Sequence, residues 1–185
     1  MKKFILVFFS VIIVSAFLQF PTFAAEINAK EILKKKYPRE IVTLSKSTDL
    51  NGDGKKEYFL LTEAGNFFLV NSKGAVVLIN TNIISDEFFE QPTIQIYQVS
   101  KKEKHIAITF EYGPSNTQFY AYQYKNGTLF NKLSIMGDQG VQVDIKGTVK
   151  QYWKKYRPEG GWDLAIATYS WSASKNKYLG AGQLP

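Results

Sequence analysis

The sequence predicts a mainly β fold. Antiparallel meanders form a few blade-like units behind one short N-terminal helix, and a β-sandwich is the alternative arrangement. Three observations lead there. After residue 40, apolar residues recur in short runs, several of them alternating with polar ones at period two, the spacing of a strand. Tight turns containing Gly or Asn separate these runs. Downstream of the extreme N-terminus, a single stretch has its apolar residues at helical spacing.

The chain begins with Met1-Lys2-Lys3, a short positive segment. Residues 4–20 are apolar apart from Ser10, Ser15 and Gln19. Pro21 then breaks a helix, and Thr22 and Ala24 place small residues at −3 and −1 of a cut. This is the layout of a secretory signal peptide over residues 1–24, cleaved after Ala24. The competing reading is an uncleaved signal anchor, because the apolar run is about the length that spans a bilayer. No second long apolar run follows, so no membrane span is expected after cleavage, and the expected location is secreted or extracytoplasmic.

The remaining chain, about 160 residues, falls within the usual range for one domain. An aromatic content of 15% suits it to a substantial core. There is no cysteine. That excludes a lipid-modified cysteine after the leader, a thiol nucleophile and a cysteine zinc site. The formal charge is +7, and loss of Lys2 and Lys3 with the leader lowers it by two. A basic exported domain is attracted to anionic surfaces such as wall polymers or lipid headgroups. Export argues against nucleic acid.

The helix is expected over residues 26–36, within a segment 25–39. Ile27, Ile32, Leu33 and Tyr37 form its apolar stripe, Lys30, Lys34 and Lys35 face solvent, and Pro38 ends it. One β-rich domain is expected over residues 40–185. Its first unit, near 41–80, has strands at 41–44, 58–62, 67–70 and 75–79, with turns at Ala64-Gly65-Asn66 and Ser72-Lys73-Gly74. Residues 80–91 form a longer connection. The second unit, near 92–135, opens with Ile94, Ile96 and Gln98 facing one way and Gln95, Tyr97 and Val99 the other. Ile106, Ile108, Phe110 and Tyr112 then alternate with His105, Ala107, Thr109 and Glu111, which predicts a half-buried strand. Strands at 119–124 and 128–135 flank Asn126-Gly127, a strong hairpin signal. The third unit, near 140–183, has Val141, Val143 and Ile145 on one face of a strand. Strands at 149–156 and 164–171 follow, then Tyr178-Leu179. Units of this size recur at roughly 45 residues, a length typical of propeller blades.

The segment Asp49-Leu50-Asn51-Gly52-Asp53-Gly54-Lys55-Lys56-Glu57 carries the clearest chemistry. Calcium is a hard cation that takes six to eight oxygens at about 2.3–2.6 Å. Alternate residues of a tightly wound loop point at one centre. Asp49, Asn51, Asp53 and Glu57 would offer side-chain oxygens there, and Lys55 its carbonyl. Gly52 and Gly54 permit the positive φ that such winding needs. An EF-hand would need a bidentate Glu at its twelfth position, where this chain has Leu60 in an apolar run. The competing reading is a plain turn with solvated acids.

The pattern D-x-N-x-D-G-x-x-E running straight into a strand resembles the FG-GAP and VCBS repeat family. The resemblance covers about 40 residues, 41–80. It implies a loop that joins two strands of a propeller blade and holds Ca2+. The chain is too short for the usual seven blades, so what it implies here is a partial or atypical propeller.

A second unusual segment, 151–163, mixes aromatic residues with cations around a Pro-Gly-Gly turn. Trp153, Tyr156, Arg157 and Trp162 form a possible ligand surface. Flat rings suit sugars, and cations suit anionic polymers. The alternative is that the tryptophans are core residues of a wide hairpin. His105 is the only histidine, and it shares a strand face with Glu111. That pair is the sole basis for a catalytic reading, and a lone strand histidine is more often structural. The expected function is a non-enzymatic calcium-binding domain of the cell envelope, in adhesion or recognition of an anionic wall polymer, glycan or protein. The alternative is a small secreted hydrolase with a structural calcium.

Overall fold

The computed structural model describes residues 27–185, so the leader and cleavage site expected from the sequence lie outside the described residues. Helix α1 spans Ala29–Lys36. The Asn28 side chain caps it by accepting the Glu31 N–H at 3.3 Å, which sets the start at Ala29. Lys34, Lys35 and Lys36 fill the last turn, where the helix dipole favours positive charge.

The strands of the described residues form three antiparallel sheets of four, each a meander of consecutive strands, and none of these closes into a barrel. The first sheet holds β1 (Val42–Thr48), β2 (Glu57–Thr62), β3 (Phe67–Val70) and β4 (Val76–Asn80). The second holds β5 (Thr93–Ser100), β6 (Glu103–Tyr112), β7 (Asn116–Lys125) and β8 (Thr128–Gly137). The third holds β9 (Val141–Val143), β10 (Val149–Tyr156), β11 (Trp162–Ser172) and β12 (Lys177–Gly182).

Side-chain alternation decides how these sheets pack. Phe59, Leu61, Phe67 and Leu69 of the first sheet share one core with Ile94, Ile106, Ile108 and Tyr122 of the second. The opposite face of the first sheet, with Leu60, Phe68 and Val70, is covered by Ala29 and Leu33 of α1. The opposite face of the second sheet, with Tyr97, Ala107, Phe119 and Ala121, packs on Val141, Val149 and Tyr178 of the third. The order of layers is therefore helix, first sheet, second sheet, third sheet. A two-layer sandwich does not describe it.

This layering changes one expectation. β6 was expected to be half-buried, but His105, Ile106, Ala107 and Ile108 are all fully buried. The middle of this strand has protein on both faces, so both alternating sets are buried there, while Thr109 to Tyr112 stay half-buried. The strand expected through Ile145 also changes, since β9 stops at Val143. The Asp144 carboxylate accepts the N–H groups of Lys146 and Thr148 at 2.8 and 3.0 Å, folding the chain into a turn and leaving Ile145 fully exposed.

The hairpin at Asn126-Gly127 forms as expected. Both residues have positive φ, 53° and 79°, and Lys125 pairs with Thr128 across the turn.

Candidate metal loop and surrounding sites

The acidic loop links β1 to β2 at one end of the first sheet. Gly52 and Gly54 adopt φ of 76° and 79°, and the chain winds around the Asp49 side chain. Asp49 Oδ1 accepts the Gly52 N–H at 2.7 Å, and Oδ2 accepts the Gly54 N–H at 2.9 Å. Asn51 Oδ1 accepts from Asp53 N–H, and Asp53 Oδ1 accepts from Lys55 N–H at 2.8 Å. The Lys55 amide, then the Asn51 side chain, hold the Asp53 carboxyl below its usual pKa. Lys104, from β6, donates to the Asp49 carbonyl and the Thr48 hydroxyl, both at 3.2 Å.

Glu57 differs from the other acids. It is the first residue of β2 and has no exposed surface. Its Oε2 accepts the Leu50 N–H at 3.0 Å, while Oε1 is buried without a hydrogen-bond partner. Burial pushes its pKa up. The Leu50 amide and the nearby Tyr124 hydroxyl oppose the rise, and the charges of Asp53 and Asp49 add to it. Tyr124 is in turn pushed up to about 12, by burial and by the charge of Glu57.

The loop therefore gathers hard oxygen donors, and the buried oxygen at its base lacks a partner. Both features fit a divalent cation. Its acids do not close on one point: among the described residues, no three His, Asp or Glu side chains converge tightly enough to hold a metal ion. Asp49 and Asp53 are engaged with the loop's own amides.

The second segment is divided by its register. Tyr156 pairs directly with Trp162, which places both on one face of the third sheet, 70% and 42% exposed. Trp153 pairs with the buried Ala165 on the other face, and its indole donates to the Gln183 carbonyl at 2.8 Å. Arg157 lies in the turn and faces Asp163 at 3.5 Å and Glu159 at 3.8 Å.

His105 and Glu111 are likewise kept apart. Six residues of extended strand separate them by roughly 20 Å. His105 is buried between the second and third sheets, where Nδ1 meets the Tyr178 hydroxyl at 2.8 Å and Nε2 meets Glu103 at 3.2 Å. The Tyr178 hydroxyl bonds that of Tyr97 in turn. Glu103 also accepts from Gln123 at 2.7 Å and from the Trp171 indole at 2.9 Å. Burial drives the His105 pKa down, against the pull of Glu103. For Glu103, burial works upward, but the bonds from Gln123, His105 and Trp171 outweigh it and leave the pKa low. This network ties two sheets together, with the His105 side chain fully buried within it.

Glu111 instead lines a cleft of about 370 Å³ between the second sheet and β9, with Glu90, Gln95, Thr109, Phe110 and Gln142. Sequence reasoning did not find this cleft. Its walls come from segments far apart in the chain, and no local motif marks them.

Comparison with protein families, characterised proteins and solved structures finds no match to this chain.

Proposed function

We propose that this chain is an exported, calcium-stabilised β domain that serves in recognition at the cell envelope and is not itself an enzyme. The observation that carries the metal reading is Glu57, a buried carboxylate with an unpartnered oxygen beneath a loop of further oxygen donors. Asp49, Asn51, Asp53 and Glu57 would hold the ion through side chains and Lys55 through its carbonyl. The bound ion would neutralise carboxylates that otherwise repel one another. Three consecutive four-stranded meanders support the blade-like reading of the fold and its likeness to FG-GAP and VCBS repeats. The buried state of the sole histidine supports a non-enzymatic role.

The test is thermal unfolding with calcium and with chelator. With calcium at 100-fold over Kd, stabilisation is about 2.7 kcal/mol, or roughly 5–10 °C for a domain of this size. The Asp49→Ala, Asp53→Ala double variant is expected to show no shift. A shift that survives in the double variant overturns the assignment.

One observation favours the second reading, a small hydrolase with calcium as scaffold: the cleft brings Glu90 and Glu111 to one lining. That reading predicts turnover on wall glycan that disappears in Glu111→Gln.

A further inference from the structure

Among the described residues, the stack of layers is closed at one end and open at the other. Helix α1 covers the outer face of the first sheet. No described element covers the outer face of the third, although that face is apolar. Trp162, Leu164, Ile166 and Leu179 are between 38% and 51% exposed. The register puts them together. Tyr156 lies opposite Trp162, Lys154 opposite Leu164 and Tyr152 opposite Ile166, while Ser170 opposite Leu179 continues the same face. Residues directly opposite one another share a face, and the alternate set, with Val149, Gln151, Ala165 and Ala167, is buried toward the second sheet. A contiguous exposed apolar patch of this kind marks an interaction surface.

Charge narrows the partner. The same register places Lys150, Lys154 and Lys177 on this face. Asp163 pairs with Lys155 in the alternate set. Two carboxylates lie at its edge: Asp144, 3.8 Å from the Lys150 ammonium, and Asp138, which accepts the Lys154 N–H at 2.8 Å. A second copy of the chain is a poor complement. Its matching face would bring lysine against lysine, and the far end of its stack is closed by α1. A sugar chain is also a poor fit, because the Lys154 ammonium sits over the Trp162 ring, 5.5 Å from its centroid. Leu164, Ile166 and Leu179 would offer sugar hydroxyls no hydrogen bonds.

An anionic bilayer surface accommodates all three residue types at once. Lysines reach lipid phosphates, Trp and Tyr settle at headgroup level, and aliphatic side chains enter the acyl boundary. We propose that the outer face of the third sheet docks on an anionic phospholipid surface. The proposal rests on the recognition role above, for which it names the partner, and does not depend on the metal.

The test uses the protein secreted from the full-length chain, with chelator present so that calcium cannot bridge protein to lipid. It is mixed with phosphatidylcholine vesicles that contain or lack phosphatidylglycerol, and partition is measured by flotation. Partition onto the anionic vesicles is expected to exceed that onto neutral ones by on the order of tenfold or more and to fall with salt. Leu164→Asp with Ile166→Asp should abolish it, and circular dichroism should show the fold intact. Trp162→Phe should remove a blue shift of tryptophan emission on binding. All variants share the wild-type N-terminus, so any contribution of the leader cancels.

Absence of partition onto either vesicle overturns the proposal. So does undiminished binding by the folded double variant, which would place the contact elsewhere. Full binding to soluble polyphosphate without an emission shift points to charge alone and also overturns it, as does a dimer that hides Trp162 from a soluble quencher. Vesicle binding without a calcium-dependent melting shift defeats the metal reading alone. A melting shift without vesicle binding defeats this one alone.

Discussion

At the residue scale, Glu57 is the position on which the metal reading turns. A carboxylate with no exposed surface and an unpartnered oxygen is costly unless a cation or a proton meets it. Replacing it by Gln, of nearly the same shape, is expected to leave the chelated protein as stable as wild type or more so, because repulsion with Asp49 and Asp53 is relieved. The calcium-dependent melting shift should vanish. The pH dependence follows from the raised pKa of Glu57. Calcium needs the ionised carboxylate, and the folded protein holds the proton to a pH above the usual 4.5. The calcium shift should therefore shrink as pH falls through that raised value, with the loss beginning above 4.5. In chelator the sign reverses for this group, since protonation below its folded pKa stabilises the native state. Melting curves with and without calcium, recorded across pH, check both signs. The acids and glycines of the loop were legible from their spacing alone. The burial of Glu57 was not, because it depends on Tyr124 and the second sheet closing over the loop end, contacts more than sixty positions away.

At the element scale, β6 shows what local pattern leaves out. Alternation identifies a strand and its two faces correctly, but it cannot say how many of those faces are covered. Ile106 and Ile108 face the first sheet, and His105 and Ala107 face the third, so both sets are buried. The histidine was legible as structural, whereas its partner on β12, Tyr178, lies over seventy residues away. His105→Ala should cost about 3 kcal/mol, since it leaves a void and strips a partner from the buried Tyr178 and from Glu103. Chemical denaturation measures the cost. The folded pKa of His105 lies below its usual 6.5, so its contribution is complete above 6.5 and declines as pH falls below it. Glu103, also held low, adds a further loss below 4.5. Stability of the chelated protein should fall in that order on acidification, and His105→Gln should remove the first step. At the turn after β2, Gly65 has φ 73°, and an added Cβ would lie 2.9 Å from the Ile83 nitrogen. Gly65→Ala is expected to lower stability by roughly 1–3 kcal/mol. An unchanged denaturation midpoint would contradict that packing.

At the scale of the whole molecule, the strand content and the division into three meanders were legible, because each sheet is built from consecutive strands joined by short turns. Their stacking was not. It depends on which apolar faces meet, and the sequence marks faces without marking partners. The two-faced burial of the middle sheet, the helix over one end and the bare face at the other all emerge from that stacking. The same arrangement places the acidic loop at the first sheet and the basic-aromatic face on the third, so metal and surface binding should be separable by mutation. If the loop above Glu57 is a calcium site, calorimetric titration with calcium will show it. The expected result is one site per chain with a Kd of about 10⁻⁴–10⁻³ M, in the range of extracellular calcium modules, and its loss in Glu57→Gln. No heat of binding at millimolar calcium, or an undiminished site in that variant, would contradict it.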